Sequence, residues 1–252
     1  MTLVEATGVS KRFGGLRAVD GVDFRVEAGT ITGIIGPNGA GKTTLFNLVS
    51  RTLPVTEGRI VFDGTDVTRL AAHEVARLGL ARTFQHTTIF HHATVVENAL
   101  VGHRRRTRAG VWDALARTAR LRREEQEARA AVMATLEEVG LAEQAGRPAR
   151  GLTAEQRKRL ALAIALAARP RLLLLDEPSA GISAEQTRSF IALVERIAAG
   201  GVTICLIEHQ MQVVMRLCQR ITVLDHGKKI AEGTPDEIRR DPAVLDAYLG
   251  HR

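Results

Sequence analysis

Cysteine is almost missing: the chain holds two, Cys205 and Cys218. Two thiols make no framework of bridges. That excludes a disulfide-stapled fold and points to a reducing cytosol. Aromatic residues make up only 4%, with one Trp and one Tyr. Long apolar runs are lacking too. The longest, Leu160–Ala168 and Leu172–Leu175, are separated by Arg169, Pro170 and Arg171, whereas a membrane span needs ~20 apolar residues. The opening Met1 to Gly8 carries Glu5 and no apolar stretch, so no secretory leader is expected. A membrane role is therefore expected to run through a partner. No internal repeat is visible, which reads as one half-unit rather than a tandem pair.

What is present is ordinary globular chemistry: 252 residues, 45% hydrophobic and 25% charged. That suffices for a substantial core and argues against disorder. The formal charge of +7 is concentrated. Residues 104–123 hold eight arginines and one acid, Asp113, and the rest of the chain balances to zero. Such a segment suits acidic headgroups, an acidic partner loop or RNA, or is a solvated helix face. Only Trp112 interleaves with the arginines, so a base-stacking platform, and with it a nucleic-acid partner, is not expected.

Short apolar runs alternate with helical patterns. Strands are predicted at Ile31–Ile35, Arg59–Phe62, Leu172–Leu175, Val202–Ile207 and Ile221–Leu224. Helices are predicted at Lys42–Ser50, Asp113–Val139, Ala154–Ala168, Ala184–Ala199 and Met211–Leu217. Apolar central strands alternating with helices predict an α/β fold whose parallel sheet is covered on both faces. Val4–Val9, Asp23–Val26 and Arg59–Phe62 lie near glycine-rich turns and predict an N-terminal antiparallel β subdomain. Residues from about 87 to 168 predict an inserted α-helical subdomain, with Met133, Leu136 and Val139 on one apolar stripe. The core would then be residues 1–86 and 169–252 of a single 252-residue domain.

Gly36-Pro37-Asn38-Gly39-Ala40-Gly41-Lys42-Thr43 matches G-x-x-x-x-G-K-[ST]. It follows the strand Ile31–Ile35 and opens a helix, the context a phosphate-binding loop requires. The glycines let successive N–H groups turn inward as an anion nest, and the helix terminus adds its dipole. Lys42 supplies a point charge for the β- and γ-phosphates, and the Thr43 hydroxyl suits Mg²⁺. The expected fold is thus a P-loop NTPase core.

Leu172-Leu173-Leu174-Leu175-Asp176-Glu177 is an apolar strand ending in two acids. Ligands in such sheets bind beyond the carboxyl ends of the strands. That suits Asp176 for Mg²⁺ and Glu177 for the attacking water. His209 follows another apolar strand and suits a γ-phosphate contact. Gln85 follows Leu80–Arg82. The histidines His86, His91, His92 and His103 lack cysteines or acids at ligand spacing and read as surface residues.

In this order, over essentially the whole chain, the motifs resemble an ATP-binding-cassette (ABC) transporter ATPase subunit. The likeness is greatest to the branched-chain (hydrophobic) amino acid importer ATPases. It is carried by Lys11-Arg12-Phe13-Gly14-Gly15-Leu16, Ala81-Arg82-Thr83-Phe84-Gln85-His86, Leu206-Ile207-Glu208-His209 and the tail Glu232-Gly233-Thr234-Pro235…Ala247-Tyr248-Leu249-Gly250. The resemblance implies ATP and Mg²⁺ as cofactors. It implies that Phe13 stacks on adenine with Val19 nearby, that Gly36 to Thr44 cradle phosphate, and that Gln85 touches Mg²⁺ and water. It implies Asp176 as metal-site acid, Glu177 as catalytic base and His209 as switch histidine. It further implies a second ABC ATPase subunit, closing head to tail over two ATP molecules. Transmembrane permease subunits and, indirectly, a solute-binding protein would complete an importer, with this chain cytoplasmic on the inner face of the membrane.

Two segments depart from the family pattern. The signature Leu-Ser-Gly-Gly-Gln reads Leu152-Thr153-Ala154-Glu155-Gln156. Thr153 and Gln156 fit a capping box, and Thr153 keeps a hydroxyl for phosphate. Glu155 adds charge: at ~5 Å and an effective dielectric of about 20, each like-charge pair costs roughly 3 kcal/mol. Swinging outward, or pairing with Arg157 or Arg159, would relieve this. Ser183 stands where many relatives have Asp or Asn. Three other readings follow: a degenerate nucleotide-binding partner in a heterodimer, a homodimeric lipopolysaccharide-export ATPase, and a soluble cassette acting on DNA or ribosomes.

Overall fold

The computed structural model describes residues 1–83, 89–103 and 119–249. The chain forms two compact units, Met1–Arg82 with Arg171–Arg252, and Thr83–Pro170.

The first unit carries two sheets. One is antiparallel: β1 (Thr2–Phe13), β2 (Leu16–Glu27), β4 (Glu57–Phe62) and β5 (Thr65–Asp66), in the order β2-β1-β4-β5. The strands β1 and β2 run on well past the predicted Val4–Val9 and Asp23–Val26. Register shifts around Val9 let the hairpin continue, and Gly8 and Gly21 supply positive φ there. The outward residues are charged, which hides the strand signal beyond the apolar stretch.

The second sheet contains β3 (Ile31–Ile35), β6 (Leu80–Arg82), β7 (Leu172–Asp176), β8 (Thr203–Ile207), β9 (Arg220–Asp225) and β10 (Lys228–Gly233), in the order β10-β9-β3-β8-β7-β6. Every pairing is parallel except β10 on β9, an antiparallel edge that the apolar pattern did not reveal. All residues of β3, β7 and β8 are buried, as a doubly covered parallel sheet demands. Helix α1 (Lys42–Val49) contributes Leu45, Phe46, Leu48 and Val49 to a core shared with Val4, Phe24, Phe62, Ile34 and Ile207. A short helix, α2 (Ala72–Arg77), precedes β6.

The second unit is helical: α3 (Val95–His103), α4 (Ala119–Glu138) and α5 (Ala154–Ala167), with 3₁₀ turns at Ala142–Gln144 and Ala149–Gly151. The buried stripe of α4 runs Val132, Leu136, Val139; Met133 is only half buried. The predicted start of this helix at Asp113 lies outside the described residues, as do Arg104 to Arg117. A side chain at Gly102 of α3 would fall 1.9 Å from the Ile164 carbonyl of α5, so glycine lets the two helices cross closely.

The first unit continues through α6 (Ala184–Ala199), α7 (Met211–Leu217), α8 (Pro235–Arg240) and α9 (Pro242–Leu249). Ser183 is the N-cap of α6, accepting from the Gln186 N–H while Gln186 bonds back. A serine caps as well as Asp or Asn, so the departure at this position keeps the helix start. Among the described residues, no helix is long and apolar enough to cross a membrane.

Candidate functional site

The phosphate loop is shaped by contacts that leave no room for side chains. A Cβ on Gly36 would sit 2.0 Å from the Leu224 carbonyl oxygen of β9. One on Gly41 would sit 2.3 Å from the Ala18 oxygen of β2. Both residues also hold positive φ, +147° and +96°, conformations that glycine alone adopts readily. Gly41 is the N-cap of α1 and offers no capping side chain, so no side chain caps the first turn of this helix, an arrangement suited to an anion.

Lys42 is buried, and its Nζ donates to the Gly36 and Pro37 carbonyls, both at 2.8 Å. Burial pushes its pKa down, and the Glu177 charge opposes that shift. Asn38, Gly39 and Thr43 are exposed, Pro37 and Thr44 half buried, and Ala40 buried. Phe13 is exposed at the tip of the β1–β2 hairpin, 5.3 Å from the Lys11 ammonium. Val19 is different: it is fully buried in the core, so its side chain offers a ligand no surface.

Strand β8 lies between β3 and β7, and Asp176 pairs with Ile207 at their carboxyl ends. Asp176 is buried, and its Oδ2 accepts from Arg82 Nη2 at 2.9 Å. Arg82 Nη1 also donates to Asn47 Oδ1 and Ser50 Oγ of the α1 region, at 2.6 and 3.1 Å, and its guanidinium stacks on Phe46. Next comes Glu177 at φ +48°, a left-handed backbone unusual for Glu. Its N–H donates to the Ile207 carbonyl, and its Oε1 stands 2.7 Å from His209 Nε2. Thus Lys42, Glu177 and His209 converge, with Asp176 beside them. Gln85 and Phe84 lie outside the described residues.

Three partners escaped sequence reasoning. Arg82 is one. Another is Glu208, buried, whose carboxylate accepts from the Ser179 hydroxyl at 2.5 Å and from the Ser179 N–H at 3.3 Å. It ties the turn after Glu177 to the strand end carrying His209. An acid closing an apolar strand was the available signal. The third is Tyr248 of α9, near Gly36 of the loop; partial burial pushes its phenol up, and the Gly36 backbone opposes that shift.

The second unit presents the other predicted motif. Thr153 caps α5: its Oγ1 accepts from the Gln156 N–H at 3.2 Å, and Gln156 Oε1 accepts from the Thr153 N–H at 2.9 Å. Arg157 Nη1 donates to the Leu152 carbonyl at 2.8 Å. Glu155 is held by Arg159, through Nε at 2.9 Å and Nη2 at 2.8 Å. His91 and His92 are exposed. Among the described residues, no three His, Cys, Asp or Glu side chains gather as a metal site.

Residues 19–180 match the ABC transporter family model. The chain belongs to the ABC transporter ATP-binding subunits. This is a family of ATP hydrolases. Residues 228–252 match a second model, the branched-chain amino acid ATP-binding cassette transporter. The chain is 42% identical over 249 residues to the high-affinity branched-chain amino acid transport ATP-binding protein BraF of Pseudomonas aeruginosa, covering 98% of each chain. It is 39% identical over 249 residues to LivG of Escherichia coli K12, named for the same transport, again covering 98% of each. A crystal structure of the ADP conformation of MJ1267, an ATP-binding cassette of an ABC transporter, superposes with a TM-score of 0.87. That structure is 31% identical, with full coverage of both chains.

Proposed function

We propose that this ABC ATPase powers an importer of branched-chain amino acids or similar small solutes. The observation that carries this reading is the full-length identity to BraF, extended by the separate match of the C-terminal residues 228–252. In this reading the chain sits on the inner face of the membrane, beside transmembrane permease subunits fed by a solute-binding protein. It pairs with a second ABC ATPase, and closure of the pair over ATP drives the permease between its states.

The residues present suit ATP. The glycine-shaped loop offers N–H donors of α1 to the phosphates, and Lys42 adds charge within hydrogen-bonding reach of the loop. Exposed Phe13 offers adenine a stacking face. The oxygen donors Thr43 and Asp176, with Gln85, suit a hard cation, and they are the residues that would hold Mg²⁺. Mg²⁺, when bound, offsets phosphate charge. Glu177 takes the proton of the attacking water, and His209 holds the Glu177 carboxylate by its 2.7 Å contact. In the paired state, Thr153 and the first turn of α5 meet the γ-phosphate on the partner's loop.

A second reading has one observation in its favour: Glu155 replaces the signature glycine, as in a degenerate member of a heterodimeric pair.

Steady-state ATP hydrolysis tests the proposal, first with the purified chain and then with a second ATPase and permease subunits. Turnover that disappears in Glu177→Gln, together with ATP-dependent amino acid uptake by the assembled transporter, is the expected result. Absence of hydrolysis in every assembly overturns it. ATP binding with turnover only beside a different ATPase supports the heterodimeric reading.

A further inference from the structure

The signature of this chain carries a carboxylate where phosphate is to be bound, and the structure supplies its counterweight. Two nitrogens of Arg159, Nε and Nη2, donate to the same oxygen of Glu155, at 2.9 and 2.8 Å. The third, Nη1, donates to the Val139 carbonyl just beyond α4, at 2.9 Å. The guanidinium is thus fixed at both ends, and both side chains are largely shielded, 14% and 19% exposed. Glu155 occupies the first turn of α5 and Arg159 the next, so the pair draws the carboxylate along the helix, away from the N-terminal donors. A first-turn acid also favours the helix dipole, which gives Glu155 a stabilising role of its own.

We infer that Arg159 is a positioning residue of the signature: it holds the Glu155 carboxylate back from the γ-phosphate of the ATP on the partner subunit. This inference rests on the proposed pairing of two ATPases. A free carboxylate ~5 Å from phosphate weakens binding on the order of a hundredfold per like-charge pair. Clamped to Arg159, Glu155 presents a neutral pair instead. The Thr-Ala-Glu signature is then a working variant of the glycine form.

A double-mutant cycle tests this, with kcat and KM for ATP measured in whichever assembly the wild-type chain turns over ATP. Arg159→Met lowers kcat/KM at least tenfold, chiefly by raising KM. In the Glu155→Gly background the same substitution loses less than threefold. A purely structural Arg159, acting through the Val139 carbonyl, gives equal losses in both backgrounds, which overturns the inference, as does no loss from Arg159→Met. Thermal melting of each variant separates misfolding from mispositioning. Should Arg159→Met fail to fold, Arg159→Gln keeps an N–H donor for Val139 without the charge and enters the same cycle. A wild type that hydrolyses no ATP in any assembly defeats the functional reading itself, and this inference with it.

Discussion

The Arg82 guanidinium meets the Asp176 carboxylate at 2.9 Å with side chains only 6% and 5% exposed. Its other nitrogen reaches Asn47 and Ser50, so a single residue binds β6 and β7 to the helix that follows the phosphate loop. Removing one partner of such a pair leaves an uncompensated buried charge, at a cost of about 3–5 kcal/mol. Arg82→Met is therefore expected to lower the unfolding free energy by that amount. Chemical denaturation measures it. A loss below about 1 kcal/mol would mean that the pair is open to water.

Glu177 at φ +48° keeps a backbone that most L-residues avoid. Such a conformation costs on the order of 1–3 kcal/mol and persists where function requires it. Both Glu177→Gln and Glu177→Gly are expected to abolish turnover, because neither accepts a proton. They part on stability: Glu177→Gly is expected to unfold at a free energy about 1 kcal/mol higher than Glu177→Gln, since only glycine relaxes this φ. Parallel urea titrations of the two variants decide it. Equal stabilities would show that the turn holds no backbone strain.

The legible parts of this molecule are those written in local sequence. Continuous apolar runs set β3, β7 and β8 within a residue or so, and the Thr153 cap set the start of α5. Motif spacing marked Lys42, and places at the ends of apolar strands marked Asp176, Glu177 and His209. Their pairing was not readable, because the contacts join distant positions: Arg82 with Asp176, and Ser179 with Glu208. The antiparallel edge β10 escaped because its exposed and half-buried residues lack an apolar run. For Glu155, spacing left two arginines as partners. Only the fold selected Arg159, through the Val139 carbonyl that anchors it.

Lys42, the proposed phosphate ligand, carries a folding cost. Its pKa is pushed down by burial, so the charged form is disfavoured in the folded chain. Lys42→Met removes the charge and keeps the stem. ATP affinity is expected to fall at least about a hundredfold, the worth of one close charge pair. Stability is expected to hold within about 0.5 kcal/mol, because the lost hydrogen bonds are offset by the relieved desolvation. Nucleotide titration and thermal melting read the two effects separately. Retained affinity would remove Lys42 from the phosphate site.

Cys218 and Cys205 give the clearest pH signature. Burial and the Glu208 charge push the Cys218 thiol from its reference value of 9.0 to about 12, and burial with the Cys218 charge raises Cys205 well above its own. The Cys218 sulfur packs against β3, 2.8 Å from where a Gly33 side chain would begin. Above the ordinary thiol range the unfolded chain releases protons that the folded chain retains. Unfolding free energy therefore falls as pH rises from 9.0 toward about 12. Below that window the contribution is fully present. Cys218→Ala is expected to flatten the alkaline loss. At pH 8 a thiol titrating near 12 is ionised to about one part in ten thousand. Both cysteines are then expected to resist an aromatic disulfide reagent until guanidinium unfolds the chain. Rapid reaction of either thiol in the native chain would contradict the burial that raises its pKa.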